Sequence, residues 1–148
     1  MATQLIDHYF CDGARENRTG LVSYSGRVLT TTSGTLSTAA ANVKTPFFTL
    51  TKTATKTGRY TVQLTDSRGN AVIGFELVSW WFGLIGTADA AYTAAKGLGL
   101  QLIRNNAIAT AGTFDIQFQR SDTMADAEVE DAATICLNFV VKKSSATP

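Results

Sequence analysis

Apolar and polar residues alternate with a period of two along much of this chain. In "TFDIQF" (113–118), Phe114, Ile116 and Phe118 fall on one face and Asp115 and Gln117 on the other. "RYTVQL" (59–64) repeats the pattern, with Tyr60, Val62 and Leu64 on one side and Thr61 and Gln63 on the other. Successive side chains of a strand point to opposite faces, so this spacing predicts antiparallel strands with one face on a core and one in water. "FFTLTKTAT" (47–55) reads as a weaker strand rich in β-branched threonine. "GLQLIR" (99–104) and "ATICLNFVV" (133–141) carry apolar residues on both faces and read as central or covered strands. Upstream, "LVSY" and "RVLTTT" flank Ser25-Gly26 and predict a hairpin. Further turn signals stand at "KTG" (56–58), "DSRGN" (66–70), "NNA" (105–107) and "AG" (111–112). Short strands punctuated in this way predict an all-β fold, an antiparallel, jelly-roll-like β-sandwich.

One segment breaks the period. "TADAAYTAAKG" (87–97) places Thr87 as an N-cap, Asp89 in the first turn, Lys96 in the last and Gly97 just beyond. That fits one short helix, with an ordered alanine-rich loop as the alternative. "TTTSGTLSTAAANVKTP" (30–46) has little to bury, so residues 1–46 read as an extended N-terminal arm containing the hairpin. Residues 47–143 then form the β-sandwich domain, and 144–148 a polar C-terminal tail.

The strand around "GFELVSWWFG" (74–83) raises a question of faces, because adjacent tryptophans cannot share one core. By parity, Ile73, Phe75, Leu77, Ser79 and Trp81 form the core face. The other face ends in the apolar cluster Val78, Trp80 and Phe82. A bulge at Gly74 would exchange the two faces beyond it. Cover for the cluster comes from the chain's own arm, from the alanine-rich segment or from a neighbouring subunit, since aromatic residues are enriched at interfaces. The candidate contact residues are Val78, Trp80 and Phe82, with Leu5, Tyr9, Phe10 and Tyr24 on the arm.

Composition narrows the function. A net charge of +1 gives no electrostatic case for direct nucleic-acid binding. The most apolar stretch, "LVSWWFGLIG" (77–86), is far shorter than the ~20 residues of a membrane helix, so no membrane partner is expected. The N-terminus lacks a basic region followed by an apolar run, which predicts synthesis in the cytoplasm without a leader. Cys11 and Cys136 have no metal-ligand spacing and read as free thiols, with one disulfide between them as the alternative. His8 and Cys11 are a weak nucleophile-base pair near the chain start, with nothing to mark an oxyanion hole. The acidic run "SDTMADAEVED" (121–131) matches no calcium-loop spacing and reads as a solvated loop. Glu76 beside Trp80 hints at a sugar platform, but glycosidase chemistry needs a second carboxyl. No catalytic, metal or cofactor site is therefore expected.

"TGRYTVQL" at Thr57–Leu64 resembles a strand type found in small structural proteins of tailed bacteriophages, the capsid decoration or cement proteins. "GLQLI" at 99–103, "TFDIQF" at 113–118 and "ICLNFVVKKSS" at 135–145 fall where that family has its later strands and short polar tail. The likeness covers roughly residues 47 to 145. It implies a compact β-sandwich without enzymatic activity that sits as a homotrimer on the capsid exterior and clamps major capsid protein subunits. A carbohydrate- or receptor-binding module of a phage tail or fibre is the alternative reading.

Overall fold

The structure, a computed structural model, describes residues 14–16, 21–86, 98–120, 122–129 and 131–143. It is an all-β sandwich of two antiparallel sheets. The first sheet contains β1 (Ala14–Glu16), β2 (Leu21–Leu29), β3 (Val43–Lys44), β6 (Phe75–Ile85) and β9 (Thr134–Lys143). Its order is β1-β2-β9-β6, with β3 lying on the same edge of β2 as β1. The second sheet has the order β4-β5-β8-β7, built from β4 (Phe48–Lys52), β5 (Arg59–Leu64), β7 (Leu98–Ala107) and β8 (Thr113–Arg120). A single helical turn, α1 (Ile108–Ala111), links β7 to β8 and is capped by Gly112 in the left-handed conformation at φ 67°.

The core follows from the alternation. Tyr60, Val62 and Leu64 of β5 and Phe114, Ile116 and Phe118 of β8 meet Ile135, Leu137, Phe139 and Val141 of β9. Rings interlock within and across the sheets: Phe139 stacks on its cross-strand partner Tyr24 at 5.1 Å and meets Phe48 and Phe114 of the other sheet edge to face at 5.3 and 5.2 Å. Such pairs add about 0.5–1.5 kcal/mol each beyond their buried area.

Several sequence expectations change here. Residues 21–29 are not a hairpin on an arm but one continuous strand, paired with β9 from Leu21↔Lys142 to Leu29↔Thr134. The domain boundary at 46/47 therefore gives way, because β2 is an interior strand of the first sheet. Gly26 serves packing rather than a turn. A Cβ there would lie 2.6 Å from both the Lys44 carbonyl oxygen and Phe48 Cζ, so only glycine leaves room for the Phe48 ring. The threonine-rich connection after β2 is also pinned down. The Thr30 hydroxyl donates to the Ala133 carbonyl at 2.9 Å and accepts from the Ala133 N–H at 3.0 Å.

The outer face of β8 is not in water as the alternation predicts. Asp115, Gln117 and Gln119 are all buried. They are satisfied laterally: Asp115 accepts from Thr61 at 2.8 Å and Asn105 at 2.6 Å, Gln117 from Arg59 at 2.8 Å, and Gln119 donates to Asp126 at 2.8 Å. Buried polar groups are tolerated when hydrogen-bonded in this way. "GLQLIR", expected to be central or covered, belongs to β7 at the end of its sheet among the described residues, so it is not central. The helix expected over 87–97, the arm residues Leu5, Tyr9 and Phe10, and the tail 144–148 lie outside the described residues.

Candidate functional site

The tryptophan strand β6 is an edge: among the described residues its strand neighbour is β9. The register shifts between Leu77 and Ser79, so Val78 is the extra residue of a β-bulge. This bulge settles the question of faces. Ahead of it Leu77 pairs with Val141, and beyond it Trp80 pairs with Phe139, Phe82 with Leu137 and Leu84 with Ile135, all core positions of β9. Directly paired residues share a face. The inward parity is therefore odd before Val78 and even after it.

Two expectations are corrected by this shift. Phe82 is 1% exposed and meets Phe118 edge-on at 5.1 Å, so it is a core residue and not a contact surface. Trp81, expected in the core, points outward and is 57% exposed. Tyr24, placed on the arm by the sequence, is buried against Phe139 at 4% exposure. Of the contact candidates described, Val78 and Trp80 remain at the surface, 45% and 47% exposed. Trp80 has the inward register but sits on an edge strand, where its ring is only half covered. Glu76 faces the other way, paired with Lys142 at 3.1 Å, so it forms no platform with Trp80.

Trp81 stands instead at the rim of an open groove of about 770 Å³ on the outer face of the first sheet. Two adjacent outward rows of the sheet build it. One runs Gly83, Cys136, Arg27 and Lys44 from β6 to β3, and the next runs Trp81, Asn138 and Ser25. Small side chains form the floor between a large aromatic wall and a cationic wall, which is why a concavity exists there. Thr45 and Pro46 also line it. The indole lies down over Gly83: a Cβ at that position would be 2.9 Å from Trp81 Cζ2 and 3.1 Å from Cη2. Cys136 is a free, half-buried thiol in this floor.

The acidic loop after β8 is engaged in structural contacts. Asp122 pairs with Arg120, Asp126 with Gln119, and Asp131 accepts the Ser33 N–H at 2.7 Å. Glu128 lies 3.0 Å from Lys52 Nζ, and its buried Oε2 has no hydrogen bond of good geometry. Its charge and the burial of Tyr60 push the Tyr60 phenol well above the ordinary tyrosine range, with burial the larger cause. The Tyr60 hydroxyl donates to the Gly34 carbonyl at 2.7 Å, so this cluster fastens the connection after β2 to β5. Among the described residues no group of three or more His, Cys, Asp and Glu side chains could hold a metal ion. His8 and Cys11 lie outside the described residues.

Sequence reasoning missed the groove because its walls come from β2, β3, β6 and β9, and only the register brings them into rows. The local signal available was Gly83 two residues beyond Trp81, a position on the same strand face. Comparison with protein-family models, with curated proteins and with solved structures finds no match.

Proposed function

We propose that this protein is a non-enzymatic structural component of a virion, a capsid decoration or cement protein that binds between major capsid subunits on the exterior of a phage head. The observation that carries the reading is the half-exposed pair Val78 and Trp80 on an edge strand of a well-packed sandwich. A folded subunit with an ordered core has no need of an exposed tryptophan for its own stability, whereas an interface does. The resemblance of Thr57–Leu64 and the closing strand to tailed-phage decoration proteins supports the same reading. A protein that binds the assembled shell and not free subunits stabilises the shell by its binding free energy. A homotrimer repeating that contact gains further by valency.

The alternative, a carbohydrate- or receptor-binding module of a tail or fibre, drew on Trp80 beside Glu76. Those side chains lie on opposite faces of β6, so that pair gives it no support. Light scattering of the purified protein, alone and mixed with expanded capsids, tests the proposal. The expected result is a mass near three times 15.8 kDa and co-sedimentation with capsids that Trp80→Ala weakens. A monomer that leaves capsids untouched would overturn it.

A further inference from the structure

We propose that the groove on the outer face of the first sheet binds an anionic saccharide, a sugar chain carrying carboxylates, with Trp81 as the stacking platform and Arg27 and Lys44 as the anion clamp. The outer face of the first sheet carries a local conflict. Arg27 and Lys44 are direct cross-strand partners, both exposed and both cationic. Like charges directly opposite in a sheet destabilise it. No carboxylate among the described residues forms an ion pair with either one: the ion pairs are Lys52–Glu128, Arg120–Asp122 and Lys142–Glu76. Two cations side by side at the wall of a cavity, with no ion-pair partner among the described residues, make a site for an external anion, and arginine in particular engages a carboxylate bidentately.

The opposite wall supplies the second half of the recognition. The Trp81 ring lies down on its own strand because Gly83 offers no side chain to lift it. An indole laid flat beside a floor of small side chains is a surface on which the apolar face of a sugar ring stacks. Asn138 and Ser25, in the same cross-strand row as Trp81, offer hydrogen-bonding groups to hydroxyls. The volume, about 770 Å³, falls within the range of small-ligand sites and suits two or three sugar units rather than a folded partner. The groove is distinct from Val78 and Trp80, so this proposal stands or falls separately from the capsid reading.

The experiment is calorimetric titration of the full chain with tetragalacturonate, with neutral cellotetraose and with a hexaglutamate peptide. Tetragalacturonate is expected to bind, to weaken with added salt and to slow alkylation of Cys136 as read by peptide mass mapping. Cellotetraose should bind at least about tenfold more weakly. Trp81→Ala and the double variant Arg27→Ala/Lys44→Ala should each lose about tenfold or more in affinity with no fall in melting temperature, because all three side chains are exposed and the double variant relieves a like-charge pair. Gly83→Val, which lifts the indole, should lose a similar factor and shows that ring placement matters rather than the ring alone. Absence of binding to tetragalacturonate overturns the proposal. So does binding that none of these variants weakens, and so does a preference for hexaglutamate, which would make the groove an acidic-peptide site.

Discussion

Replacing Phe82 by alanine removes a ring that is 1% exposed and packs edge-on against Phe118 at 5.1 Å. Truncating a buried phenylalanine costs about 3–5 kcal/mol, through lost transfer free energy and the cavity left behind. The ring sits between Leu137 of β9 and Phe118 of β8, so relaxation would have to move both sheets. A value toward the upper end is expected. For a domain of this size each kcal/mol shifts the melting temperature by about 2–4 °C, giving a fall of about 6–20 °C. Trp81→Ala removes a larger ring from an outward position and should shift the melt by less than about 0.5 kcal/mol, as surface substitutions do. Thermal denaturation of both variants, followed by circular dichroism and calorimetry, makes the comparison. The two values together test the bulge at Val78, since an unbulged strand would place Trp81 inside and Phe82 outside. If Trp81→Ala melts early while Phe82→Ala is neutral, the parity shift is wrong.

Three further outcomes are expected. Tyr60 keeps its proton when folded but ionises near pH 10 when unfolded, so the unfolded state gains as pH rises above 10 and stability falls; Tyr60→Phe should be less stable at neutral pH through loss of the bond to Gly34 yet flatter in alkali, and parallel denaturation curves from pH 9 to 11 would refute this. Lys44→Glu turns a like-charge cross-strand pair with Arg27 into an attractive one and should stabilise the fold by about 0.2–1 kcal/mol while abolishing saccharide binding, measurable by urea denaturation and calorimetric titration. Because Asp122, Asp126, Glu128 and Asp131 each have a protein partner, EDTA should leave the melting temperature unchanged, and a marked fall on chelation would reveal a metal dependence.

What the sequence made legible was local. The strands around Tyr60 and Phe114 follow from their alternation, and "DSRGN" is a turn because Asp66 accepts the N–H groups of Arg68 and Asn70, both at 2.8 Å. Those donors hold its carboxyl below the usual carboxylate range, the Asn70 N–H being the largest cause. What stayed hidden depends on partners distant in the chain. Ser25-Gly26 carries the composition of a turn, but the glycine exists to admit Phe48, more than twenty residues away, and nothing local separates the two uses. Asp115 and Gln117 read as solvent-facing because alternation reports which face a residue is on. It does not report whether Thr61, Arg59 and Asn105 then close over that face. Edge or centre is equally a property of assembly, which is why the apolar run of β7 suggested a central or covered strand.

The bulge has a consequence for how one strand serves two surfaces. From Leu77 to Ile85, β6 carries no charged residue, an unusual condition for an edge, since charges are a common guard against adventitious strand pairing. A bulge is another such guard, because it bends the strand and interrupts its ladder. At Val78 it also does something a charge could not. Without it, Trp81 would enter the core and Trp80 alone would be outward. With it, the core position passes to Phe82, Trp80 is left half-covered at the inward rim, and Trp81 lies on the outer face over Gly83. Neither tryptophan is consumed by the fold, and the two look out in different directions. A subunit contact through Trp80 and a ligand contact through Trp81 can therefore coexist on adjacent residues without competing for the same space.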